Sequence, residues 1–198
     1  IKNEKTGKKL FFDEKPDEKK GFYEEERKIQ QSYIGFGYKM PYRNSKESYA
    51  VDIIRAVLAR GQSGKLFEEL RTKRGLCYIV GGIYEAGLNY GYFMVYVGTD
   101  RKNIENVVSL IKNEIKKMQE LNEKDINEAK TFIEGSFAIE NEDQKKIADN
   151  ILFWNMIDRN IELKKYLENI NKTSKKDVTD AAKKYFGDNY TLTILKQT

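Results

Sequence analysis

Histidine is absent from the 198 residues, and this absence restricts the chemistry of the chain more than any other feature of its composition. Zinc sites in hydrolases nearly always use histidine ligands, and a single cysteine cannot replace a set of them. The same absence excludes the Ser-His and Cys-His nucleophile pairs. Chemistry carried by this chain alone would therefore have to use carboxylates, lysine, tyrosine or arginine.

The sequence has one cysteine, Cys77, and no apolar run of membrane-spanning length. One cysteine excludes an internal disulfide and favours a reducing compartment, so we expect a cytoplasmic location and no membrane partner. The charged first twenty residues lack the apolar stretch of a signal peptide. A chain that begins with Ile1 can nevertheless be a fragment or a processed product. The missing signal peptide therefore says little about the intact protein.

Charged residues of both signs are plentiful, with 36 Lys and Arg against 31 Asp and Glu. Interleaved signs of this kind are typical of solvated helix faces in a globular protein. A basic balance can also indicate nucleic-acid binding, but the sequence has no clustered basic helix, zinc finger or RNA-binding aromatic motif. We therefore expect no nucleic-acid partner, and a salt-sensitive shift with generic DNA or RNA would contradict this.

The chain divides into a charged arm or inter-domain linker remnant at residues 1–20 and a single α+β domain at 21–198. Within the arm, Lys9–Phe12 is a candidate short strand. The apolar patterns predict a strand within Lys28–Tyr38, two helices, a hairpin of strands at about Leu76–Tyr84 and Tyr90–Gly98, several helices and a closing strand at residues 191–195. That order predicts a mainly antiparallel sheet with helices packed on one face.

Capping residues predict where the helices begin and end. Predicted N-terminal caps are Asn44 with Glu47, Ser63, Asp100, Asn122, and Ser174 or Thr173; predicted ends are Gly61, Gly75 and Gly187. Ser63 is interpreted as a cap rather than a nucleophile, because the chain has no base to activate it.

Arg71 and Tyr78 lie on the two sides of a predicted helix-to-strand turn, and the reversal at Gly75 can bring them to one edge. Arginine offers fixed donors to peptide carbonyls, and a tyrosine hydroxyl can donate to a carbonyl oxygen that becomes an oxyanion. A structural explanation is equally open from spacing alone. A basic residue in a last helical turn complements the helix dipole, and a strand tyrosine packs.

The segment Leu70-Arg-Thr-Lys-Arg-Gly-Leu-Cys-Tyr78 closely resembles the Leu-Arg … Gly-Leu-x-Tyr signature of the pitrilysin/insulinase-family zinc metallopeptidases, which include mitochondrial processing peptidase and insulin-degrading enzyme. Weaker matches follow the family order from about Gln30 to Leu195. They are Gln30 or Gln31, Gly61–Phe67, Tyr96–Thr99, Ala129-Lys130 and Tyr185-Phe186.

The resemblance implies paired α+β domains that close around a peptide, with a His-x-x-Glu-His zinc motif in one half. The other half supplies an arginine and a tyrosine, which the family pattern places on Arg71 and Tyr78. Arg71 would bind the substrate main chain, and Tyr78 would hold the scissile carbonyl oxygen as charge develops. Because it has no histidine, this chain is expected to be the C-terminal, metal-free half, and to be inactive alone.

The resemblance also implies the partners. Zinc is expected in an N-terminal domain or a homologous subunit, and the substrate is expected to be a peptide or an unfolded protein. A non-catalytic structural or assembly subunit is the alternative, because this fold serves such roles when its sites degenerate; an intact Arg71 and Tyr78 argue against it. Cys77 is predicted to be buried and inert. Tyrosines 84, 90, 92 and 96 either pack in the sheet or line a substrate cavity.

Overall fold

A computed structural model describes residues 20–157 and 165–198. The predicted strand at Lys9–Phe12, and all of the predicted arm except Lys20, lie outside these residues. The strands are β1 (Gly21–Arg27), β2 (Ser32–Lys39), β3 (Cys77–Ala86), β4 (Gly91–Thr99) and β5 (Thr191–Gln197). The α-helices are α1 (Glu47–Ala59), α2 (Lys65–Phe67), α3 (Ile104–Lys117), α4 (Glu123–Glu140), α5 (Gln144–Ile157), α6 (Lys165–Lys172) and α7 (Lys175–Tyr185).

The five strands form one sheet in the order β1-β5-β2-β4-β3. Strand β1 runs parallel to β5, and the other three pairings are antiparallel. The predicted α+β fold with a mainly antiparallel sheet is therefore confirmed. The sequence analysis missed β1. Its sequence, Gly-Phe-Tyr-Glu-Glu-Glu-Arg, is almost wholly exposed and has no alternation of apolar and polar residues, so only its pairing with β5 identifies it as a strand.

The core lies between the sheet and the helices. Alternate residues of the two central strands point towards the helices and are buried: Ile34, Phe36 and Tyr38 from β2, and Phe93, Val95 and Val97 from β4. Helix α1 is buried along most of its length because it contacts β3 on one side and α4 and α7 on the others. It is therefore the central helix of the domain.

The other side of the sheet, which we call the open face, carries the alternate residues of the same strands. It is defined by Tyr33, Ile79, Ile83, Tyr92, Met94 and Tyr96, which share a side of the sheet through the strand register. Four of them, Tyr33, Ile79, Tyr92 and Tyr96, are 37–46% exposed. A solvated sheet face usually carries polar residues, so this row of large apolar side chains is unusual.

Three of the predicted helix caps are wrong, those by Asn44 with Glu47, by Ser63 and by Asp100. Helix α1 begins at Glu47 after Lys46, and no side-chain hydrogen bond caps it. Glu47, which was expected to pair with Asn44, instead accepts hydrogen bonds from Lys184 at 2.7 Å and from the Tyr185 hydroxyl. A salt bridge across the domain thus replaces the local capping box.

Ser63 does not cap α2, because its hydroxyl donates to the Arg60 carbonyl at 3.3 Å and Gly64 occupies the cap position. The predicted ends of the first two helices are correct. Gly61 and Gly75 have φ values of 63° and 62°, a left-handed conformation that suits glycine after a helix.

Two later caps are confirmed. The Asn122 side chain accepts from the Asp125 N–H at 2.8 Å at the start of α4. The Ser174 hydroxyl accepts from the Asp177 N–H, and the Asp177 carboxylate accepts from the Ser174 N–H, which completes a capping box on α7.

Candidate functional site

A tight reversal between α2 and β3 carries the predicted site. Helix α2 continues as a π-helical turn at Glu68–Thr72, which buries Leu70. The chain then turns back, since the Gly75 N–H donates to the Arg71 carbonyl at 3.0 Å and the Leu76 N–H donates to the Leu70 carbonyl at 2.8 Å. This reversal places the end of the helix next to the start of β3.

Tyr78 is an extra residue in β3. Cys77 pairs with Thr99, and Ile79 pairs with Gly98, which precedes Thr99 directly. Tyr78 therefore has no partner of its own and forms a β-bulge, a feature that redirects a side chain at the edge of a sheet. Its side chain is turned out of the molecule and the residue is 61% exposed.

The structure brings Arg71 and Tyr78 to the same edge of the sheet. Arg71 Nη1 donates to the backbone carbonyl oxygen of Tyr78 at 2.9 Å, and the guanidinium carbon lies 5.2 Å from the centre of the Phe67 ring. The guanidinium is thus oriented by a carbonyl and by an aromatic face, and it remains exposed. The link between the two residues runs through the Tyr78 backbone rather than through its phenol.

The phenol has a different partner, Asp100. The Tyr78 hydroxyl donates to Asp100 Oδ1 at 3.3 Å. Asp100 was predicted to cap a helix, but its side chain makes no capping hydrogen bond; its backbone carbonyl accepts from the Asn103 N–H at 2.9 Å instead. Sequence reasoning missed this contact, because it depends on the register of the β3–β4 hairpin and on the bulge at Tyr78.

Cys77 is buried, as predicted. Burial raises the pKa of its thiol, although the nearby Arg71 charge acts in the opposite direction. A thiol held in its protonated form is a poor nucleophile, so Cys77 has a packing role.

The hairpin tyrosines divide into one that packs and three that are exposed, and the lining of a substrate cavity stays a prediction. Tyr84 is turned inward and donates to the Pro41 carbonyl at 2.8 Å, so it packs in the sheet. Tyr90, Tyr92 and Tyr96 are exposed, and Tyr92 donates to Glu85 at 2.8 Å. These three are available for contact with a partner or a substrate.

A large cleft lies at the other end of the sheet. It has a volume of about 1010 Å³ and is lined by the end of β2, the start of β4 and the start of β5, with Lys20, Lys39 and Lys184 as its charged side chains. Neither Arg71 nor Tyr78 lines it. The predicted site is therefore an open edge, which a second domain would have to complete.

Among residues 20–157 and 165–198, no group of three or more Cys, Asp or Glu side chains is arranged to hold a metal ion. In the same part of the chain, no helix has the length and apolar character required to cross a membrane.

Comparison with known proteins decides the family. The sequence profile described as the peptidase M16 inactive domain matches residues 1–133. The chain belongs to this family. The resemblance to zinc metallopeptidases that rested on the Leu70–Tyr78 segment is thereby confirmed.

Relatives of this M16 inactive domain carry the name of zinc proteases. An uncharacterized zinc protease of Rickettsia bellii is 29% identical over 122 residues, which is 61% of this chain and 29% of that protein. One from Streptomyces coelicolor is 28% identical over 127 residues, 63% of this chain and 28% of that protein. The chain thus spans less than a third of the length of these relatives.

Solved structures share the fold. The peptidase M16 inactive domain from Pseudomonas fluorescens has a TM-score of 0.81 at 20% identity, covering 93% of this chain and 46% of that one. A protease from Helicobacter pylori has a TM-score of 0.78 at 19% identity, covering 91% and 45%. M16 inactive domains pair with a zinc-bearing domain, so the metal of such proteases belongs to a part that this chain does not contain.

Proposed function

We propose that this M16 inactive domain is the substrate-binding half of a zinc-dependent peptidase and that it supplies Arg71 and Tyr78 to the cleavage site. The observation that supports the proposal is the arrangement of side chains at the edge of the sheet where β3 begins. Two exposed side chains, a guanidinium and a phenol, are fixed there by a 2.9 Å bond and a β-bulge, on a chain without histidine. Such an edge offers hydrogen-bond donors to a peptide but no group that could hydrolyse the peptide.

Each residue has a separate task in this proposal. Arg71 donates to main-chain carbonyls of the peptide and fixes its position. Tyr78 donates to the scissile carbonyl oxygen and stabilises the negative charge that develops there. Zinc held by the other half would polarise that carbonyl and activate a water molecule. Because the contacts are with the main chain, the substrate is a peptide or unfolded protein with little sequence preference.

The open face is the proposed contact with the zinc-bearing half. Its row of tyrosine, isoleucine and methionine side chains is too apolar for a face that stays in water. The chain also spans less than half of the Pseudomonas fluorescens and Helicobacter pylori structures, so a second domain of similar size is expected next to it. We place the assembled enzyme in the cytoplasm, where a free thiol such as Cys77 stays reduced.

The test uses the complete enzyme, with both halves present, and a fluorescence-quenched unstructured decapeptide. Arg71→Ala is expected to raise KM, because it removes donors that hold the peptide. Tyr78→Phe is expected to lower kcat by roughly 100-fold or more, because it removes one oxyanion donor. Arg74→Ala is the matched control for arginine, since Arg74 lies in the same turn but is paired with Glu69 at 2.6 Å. Tyr33→Phe, on the open face, is the control for tyrosine.

Wild-type turnover by both variants would show that the two residues are assigned wrongly. The alternative, a structural or assembly subunit, predicts a different result. In that case the chain would still bind the zinc-bearing half, but the complex would cleave no peptide.

A further inference from the structure

We infer that Asp100 controls whether the Tyr78 hydroxyl is available to a substrate, holding it in the free chain and releasing it when a peptide carbonyl arrives. This inference rests on the proposed function of Tyr78. The juxtaposition that points to it is the 3.3 Å contact between the phenol oxygen and Asp100 Oδ1 at the edge where Arg71 also lies.

The backbone fixes these two residues next to each other. The Thr99 hydroxyl donates to the Leu76 carbonyl at 2.5 Å, and Thr99 pairs with Cys77 in the ladder. The last residue of β4 is therefore tied to both Leu76 and Cys77, directly before Tyr78. Asp100 follows Thr99 directly, and the bulge turns Tyr78 outward beside it. The proximity of phenol and carboxylate is thus a property of the hairpin rather than of a loose loop.

Among the described residues, the Asp100 carboxylate makes no hydrogen bond or ion pair other than the one with Tyr78. It caps no helix, although it occupies the cap position of the short turn Arg101–Asn103. The neighbouring cation, Arg101, is directed elsewhere, since it donates to the Gln197 carbonyl at 2.8 Å and to Glu26 at 2.7 Å. Of the hydrogen bonds and ion pairs seen in that part of the chain, the carboxylate takes part only in the bond from Tyr78.

A phenol has one O–H, so it cannot donate to Asp100 and to a substrate carbonyl at the same time. An ionised carboxylate only accepts, so Asp100 cannot pass a hydrogen bond on to the carbonyl. The two contacts are therefore mutually exclusive. The phenol must leave Asp100 before it can serve as an oxyanion donor.

The existing bond is suited to such an exchange. A separation of 3.3 Å is longer than the usual 2.5–3.0 Å of an O–H···O bond, and Tyr78 is largely exposed. A long bond in water is worth little and breaks readily. Asp100 thus orients the phenol in the free chain, and a substrate that displaces Asp100 loses little binding free energy.

Two substitutions separate this role from a structural one. Asp100→Ala removes the acceptor, which leaves the phenol unoriented. Asp100→Asn replaces the anionic acceptor by a neutral amide, whose oxygen is a weaker acceptor and whose N–H can donate to the phenol oxygen. The phenol O–H is therefore released more readily to a carbonyl. Both variants are expected to fold, because the carboxylate caps nothing.

The first measurement needs no substrate. Three-bond NMR couplings across χ1 of Tyr78, in the 198-residue chain, report how many rotamers the side chain occupies. We expect the rotamer that reaches Asp100 to be populated about threefold more in the wild type than in Asp100→Ala, as one weak hydrogen bond would cause. Glu105→Ala, in the first turn of α3, is the matched acidic control and should leave the couplings unchanged. Identical couplings in the wild type and Asp100→Ala would overturn the inference.

The second measurement uses the complete enzyme and the quenched decapeptide. Asp100→Asn is expected to raise kcat/KM about threefold. This is the change expected when substrate binding no longer has to break one weak hydrogen bond. The change should be absent in a Tyr78→Phe background, because the competition needs the phenol proton. A fall in kcat/KM, or an equal rise in the Tyr78→Phe background, would overturn the inference. A wild-type rate for Tyr78→Phe alone would instead overturn the proposed function, whatever the couplings show.

Discussion

Arg43 shows how this domain accommodates a charge in its interior. The residue is 7% exposed, and its guanidinium donates to both carboxylate oxygens of Asp52, at 3.2 and 2.5 Å. Burial opposes the charge, but the attraction of Asp52 outweighs it and leaves the pKa of Arg43 raised. Four aromatic rings surround the guanidinium carbon at 5.2–5.7 Å: Tyr49, Tyr84, Trp154 and Tyr166.

Removing one partner of this ion pair should lower the free energy of unfolding far more than removing both partners. Asp52→Ala leaves a buried guanidinium without its counter-charge and is expected to lower the free energy of unfolding by about 3–5 kcal/mol. The double variant Arg43→Met with Asp52→Leu removes both charges and is expected to lose much less. Urea denaturation followed by circular dichroism measures both values. A loss below about 1 kcal/mol for Asp52→Ala would mean that water reaches the pair.

The predictability of the candidate site differs from residue to residue. Arg71 and Tyr78 could be expected at one edge, because the glycine at position 75 marks a reversal between them. Asp100 could not be assigned its contact from the sequence, where it has the form of an ordinary helix cap. Its contact with Tyr78 depends on the register of the hairpin and on one extra residue in β3, and neither is written in local residue types.

At the scale of the elements, the last helix begins with the most complete cap in the described structure. The Ser174 hydroxyl donates to Asp177 Oδ2 at 2.6 Å, and the Ser174 N–H donates to the same oxygen at 2.8 Å. These bonds lower the pKa of the Asp177 carboxyl, since they favour its ionised form. Helix α7 in turn packs on α1, so this cap stabilises the central layer of the domain.

Ser174→Ala is expected to lower the free energy of unfolding by about 1 kcal/mol at neutral pH. The pH dependence follows from Asp177, whose pKa is lower in the folded than in the unfolded chain. Its contribution is present above the unfolded value, about pH 4, and is lost as the pH falls through the folded value. The difference in stability between the wild type and Asp177→Asn should therefore shrink between pH 6 and pH 3 in urea titrations.

Asp180→Asn is the control for this pH dependence, because Asp180 lies on the same helix and only pairs with Lys176 at the surface. It should change stability little at either pH. An equal pH dependence for Asp180→Asn and Asp177→Asn would contradict the capping explanation.

Local caps of this kind explain which elements the sequence predicts well. Asn122 and Ser174 cap through bonds to residues three positions away, so sequence reasoning finds them. Glu47 looks equally local but bonds to Lys184 and Tyr185, 137 and 138 positions away. Strand β1 is defined in the same way, by pairing with a strand at the other end of the chain. Both errors concern contacts between distant parts of the sequence, and β1 in addition has no alternating pattern of its own.

At the scale of the whole molecule, the two sides of the sheet differ in one respect. Helices cover the central strands on one side, whereas the open face carries Tyr33, Ile79, Tyr92 and Tyr96 without cover from the described residues. Three of the related structures are about twice as long as this chain, which covers 44–46% of them. A second domain against the open face would bury these side chains and leave the edge with Arg71 and Tyr78 at its border.

Met94 lies in the middle of this face, paired with Gly37 on one side and Ile83 on the other. Met94→Glu would bury an unpaired carboxylate at the proposed contact, and it is expected to weaken the association with a separately expressed zinc-bearing half at least tenfold. Calorimetric titration measures the Kd, and circular dichroism verifies the fold. Ile139→Glu is the matched control, because Ile139 is 68% exposed on α4, away from the sheet. Unchanged binding by Met94→Glu, or equal weakening by Ile139→Glu, would move the contact to another surface.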